Sequence, residues 1–144
     1  MQTAKALETL IRLRRQALDQ RRKRLAGLEQ SRQALDDERA ALERSMVAEQ
    51  RLAAGRADLI GAYGGYARRV IAARAEFDSK RALLDREIAA AHDEISIAFS
   101  ELKKFEIAQT ARQRREQAEA ARQETRAIDE VGVDGFRRKK SREG

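Results

Sequence analysis

GRADLIGAYGGY, residues 55–66, decides the fold. Four glycines, Gly55, Gly61, Gly64 and Gly65, fall within eleven residues of it. Glycine costs about 1 kcal/mol relative to alanine inside a helix and takes positive φ readily, so a chain reversal is cheapest here. On both sides proline is absent and apolar residues recur at helical spacing. Two long helices folded back on one another at a single reversal are the reading that follows.

The first arm carries a heptad-like seam: Leu7, Ile11, Arg14, Leu18, Arg21, Leu25, Leu28, Arg32, Leu35, Arg39, Leu42 and Met46. Steps alternate between four and three residues, which keeps these side chains on one helix face. Arginine at a seam position can lay its aliphatic stem along the partner while its guanidinium reaches water. The second arm answers with Val70, Phe77, Arg81, Leu84, Ile88, Ala91, Ile95, Ala98, Leu102 and Phe105. Large apolar residues then stop at Ile107, and AQTARQRREQAEAARQETRAID favours helix while offering little to bury. The expected architecture is all-α: a long antiparallel two-helix coiled-coil hairpin forming one domain, residues 1–130. Helix 1 is expected at about 5–54, the short glycine-rich reversal at 55–65 and helix 2 at 66–129. Gly132 and Gly135 are expected to break the second helix, leaving 131–144 as a flexible, disordered basic tail. Equal helical rise makes the second arm longer than the first, so it should project beyond it beside both termini.

Composition agrees with this reading and narrows function. Charged residues are 38% and aromatics 4%, with no Trp, Pro or Cys, the balance of long helices rather than of a thick core. No apolar run approaches the ~18 residues of a membrane span, and the N-terminus lacks the pattern of a secretory signal. Without cysteine there are no disulfides and no thiolate metal sites. The single histidine, His92, sits between alanine and acid with no metal-ligand spacing around it, and no GxxxxGK[ST] occurs. No cofactor, metal or catalytic group is expected, and the chain reads as a non-enzyme.

The net charge of +7 gathers toward the chain ends. Residues 1–54 hold 12 basic and 8 acidic side chains, residues 55–107 hold 9 of each, and residues 108–144 hold 10 and 7. In an antiparallel hairpin Arg14, Arg15, Arg21 and Arg22 come to the same pole as Arg112, Arg114 and Arg115. Three readings stand side by side: a solvated surface, a docking face for an acidic protein, and nonspecific phosphate binding. The last lacks an aromatic platform or a basic-region fork, so no specific nucleic-acid partner is expected. Tyr63 and Tyr66 either close the hairpin tip by packing or present an aromatic contact there.

KALETLIRLRRQALDQRRKRLAGLE, AYGGYARRVI and FSELKKFEIAQTARQRREQAE, followed by the basic tail, resemble the flagellar export protein FliJ family, most of all its alphaproteobacterial branch. The resemblance covers essentially the whole chain and extends to the similar YscO-type proteins of virulence secretion. It implies a long antiparallel coiled coil like the central stalk of a rotary ATPase. The terminal end would enter the ring of a FliI-like export ATPase, and the stalk would contact an FlhA-like export gate. The implied location is the cytoplasm, peripheral to the membrane through the export apparatus. A role as chaperone or escort of export substrates is implied as well. Under that geometry Leu7, Leu10, Ile11 and the projecting second helix would form the shaft. Arg14, Arg15, Arg21, Arg22, Arg112, Arg114 and Arg115 would be its ring-facing charges, an expectation from the charge map rather than from motif residues. The alternatives are a chaperone-like binder of export substrates and, more remotely, a nucleic-acid-binding coiled coil.

Overall fold

The computed structural model describes residues 2–56, 58 and 60–143, without the side chains of Gln2 and Ile60. Two long helices make up the fold, α1 (Gln2–Ala54) and α2 (Ile60–Glu143), with no strand among the described residues. The chain is an all-α helical hairpin. Its packing falls into two units, Arg15–Phe99 and Met1–Arg14 with Ser100–Gly144.

In the unit of residues 15–99 the helices run antiparallel, because partner numbers fall on α2 as they climb on α1. Arg21 meets Glu94 at 3.3 Å, Arg32 meets Asp85 at 3.3 Å and Asp36 meets Arg81 at 3.2 Å. Arg39 then pairs with Asp78, and Glu43 with Arg74. Leu18, Val70, Ile88, Ala91 and Ala98 are the buried residues of this pair. In the other unit Arg112 reaches the Thr3 hydroxyl at 3.4 Å and Arg14 reaches Glu101 at 2.6 Å, again antiparallel, with Ile11 and Leu102 buried.

The seam lies where the apolar spacing puts it. Every seam position of α1 is buried or half-buried except Arg21, and every one of α2 except Arg81. Alanines at 91 and 98 are buried in full, so the helices close on them with little side chain between. No polar side chain is buried among the described residues. Burial this thin leaves the stability spread along the seam, since each fully buried Leu or Ile contributes only about 1.5–3 kcal/mol.

Two expectations about boundaries differ from the structure. The reversal is shorter than 55–65, because α2 already begins at Ile60 and takes Gly61, Gly64 and Gly65 into the helix, none with positive φ. The reason is Tyr63, Tyr66 and Val70, spaced three and four residues apart, which turn one face of this segment onto the seam. Nor does the chain become a disordered tail at 131. The helix passes through Gly132 and Gly135 to Glu143, exposed at every residue from Gln113 onward. With no proline to remove a backbone donor, two separated glycines cost about 1 kcal/mol each, which helix propagation absorbs.

Candidate functional site

The depressions are open grooves on helix surfaces, and no cluster of three or more His, Cys, Asp or Glu that could hold a metal ion occurs among the described residues. His92 is exposed on α2. The functional surface must be sought in what the helices carry outward.

The unit of residues 1–14 and 100–144 brings together the terminal set. Ile11 is buried against the seam, and Leu7 and Leu10 are half-buried along the same helix edge. Arg14 is held twice, by the Glu101 carboxylate at 2.6 Å and by the Phe105 ring, whose centroid lies 5.7 Å from the guanidinium carbon. Arg112 is half-buried, donating to Glu116 at 3.2 Å and to the Thr3 hydroxyl. Arg114 and Arg115 are exposed. Arg114 lines a groove with Lys103, Glu106, Ile107, Thr110 and Ala111. Past Arg112, α2 is exposed at every described residue, including Ile128, Val131, Val133 and Phe136.

In the unit of residues 15–99, Arg21 is bridged to Glu94 and Arg24 reaches the same carboxylate at 3.8 Å. Arg15 and Arg22 are exposed. Tyr63 and Tyr66 are half-buried beside Glu49 and Ala53 of α1, with the Arg69 guanidinium over the Tyr66 ring at 6.0 Å.

The expected charge set thus divides. Arg14 and Arg21 point across the seam to α2 carboxylates, while Arg22, Arg114 and Arg115 face solvent. Sequence reading missed the reason, which is that Glu94 and Glu101 stand half-buried just beside the buried Ala98 and Leu102. It also missed the Glu43–Arg74 bridge, in which Nε and Nη2 of Arg74 donate to the two carboxylate oxygens of Glu43. That hydrogen bonding, and then the nearby charges of Arg74 and Arg39, hold the Glu43 carboxyl below its ordinary value of 4.5 against the opposing effect of desolvation. A signal for it was present in the sequence as acid and arginine at facing seam flanks, readable only once the register is known.

Two long helices packed against each other, charged outside and apolar along one thin seam, define an all-α helical-hairpin protein. The family model described as Flagellar FliJ protein matches residues 3–141, and the chain belongs to that family. Membership makes it a flagellar export-related protein. Comparison with the curated proteins and with the solved structures gave no match.

Proposed function

We propose that this chain is the non-enzymatic central stalk of the flagellar type III protein export apparatus. Its terminal end, the paired start of α1 with the free run of α2, enters the export ATPase ring and couples it to the export gate. Such a part works on the cytoplasmic face of the membrane through its partners; no helix among the described residues is long and apolar enough to cross the bilayer. The observation that carries the reading is the stretch of α2 beyond Arg112, helical to Glu143 and exposed throughout. A helix that buries nothing of its own at both apolar and basic positions has its partners elsewhere. Arg22, Arg114 and Arg115 are the outward charges available for an acidic ring lining. The test is addition of the purified chain to its cognate export ATPase. Stimulated hydrolysis and ring assembly are expected, and their absence at saturating stalk removes the reading.

Ile128, Val131, Val133 and Phe136, each at least half exposed, favour a second role as an escort of export substrates. Pull-down of unassembled substrate subunits by the full chain, weakened by Phe136→Ser, is its expected signature; no retention of any subunit counts against it.

A further inference from the structure

Beyond Arg112, α2 carries side chains that its own packing does not use. Ile128, Val131, Val133 and Phe136 are 65%, 72%, 50% and 67% exposed, although α2 stays helical past them to Glu143. Arg137, Arg138, Lys139, Lys140 and Arg142 follow directly, against Asp134 and Glu143 as the acids of residues 131–143. These five cations are exposed, and Lys140 and Arg142 stand in the last turn.

At about 3.6 residues per turn, Val131, Gly135, Ile128, Gly132, Phe136 and Val133 fan over about 200° of the helix. Glu130, Asp134, Arg137 and Ser141 fill the opposite side. Lys139, Lys140 and Arg142 continue the apolar side into the final turns, where Asp129 and Glu143 are its acids. So broad an arc is wider than the narrow stripe, repeating at three and four residues, by which one helix seats in another. It suits a flat apolar boundary with cations beside it, where buried apolar area and attraction for anionic lipid add together. A nucleic acid would use the cations and leave the four apolar side chains in water. No helix among the described residues is long and apolar enough to cross a bilayer, so contact with one means lying on its surface.

We propose that residues 128–142 of α2 form a helix that lies on an anionic bilayer. Ile128, Val131, Val133 and Phe136 enter the boundary between headgroups and acyl chains, which such helices reach to a depth of about 5–10 Å. Lys139, Lys140 and Arg142 meet lipid phosphates, and Arg137 and Arg138 add to the positive field. The contact is direct and needs no other protein, and it holds whether or not the chain is an export stalk.

The chain has no tryptophan, so Phe136→Trp in the full-length protein is a single reporter. With vesicles of phosphatidylglycerol and phosphatidylcholine its emission should move to shorter wavelength. The unlabelled protein should sediment with those vesicles at least tenfold better than with phosphatidylcholine alone. Replacing Arg137, Arg138, Lys139, Lys140 and Arg142 together by glutamine should cut sedimentation at least tenfold. Ile128→Ser with Val131→Ser, at two exposed positions, keeps the charge and should cut it at least threefold. Emission that does not move, equal binding to neutral vesicles, or full sedimentation of the serine variant overturns the proposal. Full sedimentation of that variant together with salt-sensitive binding to duplex RNA reassigns the cations to a nucleic-acid backbone.

Discussion

The Glu43 carboxylate of α1 receives both Nε and Nη2 of Arg74 of α2, a two-pronged bridge between the helices. Because Glu43 is held below 4.5 when folded, the bridge favours the folded state above the unfolded carboxylate value and stops doing so as pH falls through the depressed one. Glu43→Gln should therefore melt at a lower temperature than the parent at pH 7. The two melting curves should converge below the folded-state value of Glu43. Thermal melts by circular dichroism in a series from pH 7 into the acid range read this directly; a gap that does not narrow as pH falls assigns the loss to packing instead.

Leu18 and Leu13 are one turn and a half apart on α1, with 4% and 52% of their surface exposed. Leu18→Ala should lower unfolding free energy by about 2–4 kcal/mol. Leu13→Ala should change it by less than about 0.5 kcal/mol. Chemical denaturation of both variants measures the contrast.

Charge reversal should separate folding from docking. Arg14→Glu places a carboxylate against Glu101 and removes the contact with Phe105, so it should lower the melting temperature. Arg114→Glu with Arg115→Glu should leave the melt unchanged and weaken binding to the export ATPase at least fivefold. Calorimetry and a binding titration on the same samples distinguish the two effects.

Gly61→Ala, Gly64→Ala and Gly65→Ala add a methyl group into open space on a helix. Each should raise stability by about 0.5–1 kcal/mol. Denaturant midpoints that move up together support a helical start for α2 at Ile60; a drop at any one position places that glycine outside the helix.

Ending the chain after Gln113 removes only residues that bury nothing. The remaining helix pair should melt at the parental temperature, while stimulation of the export ATPase is lost. An equal melt with full stimulation would instead assign ring contact to the paired helices.

The seam was legible because apolar and arginine positions repeat at three and four residues, and burial follows them from Leu7 to Met46 and from Val70 to Phe105. The pairing of Arg14 and Arg21 was not, since a partner across the seam depends on register, which neither helix encodes alone. The start of α2 was misjudged for a related reason. Glycine content was weighed locally, while Tyr63, Tyr66 and Val70 hold the segment helical through contacts with the other helix. At the far end the glycines at 132 and 135 were given the force of a break, although no competing interaction pulls the backbone out of the helix there.

From Gln113 to Glu143 the side chains of α2 are exposed, so most side-chain substitutions there change folding little. Mutation along this stretch is filtered mainly by whatever it meets outside the chain. The residues of 113–143 should consequently drift among relatives in step with a partner's surface, whereas those of the seam drift in step with each other.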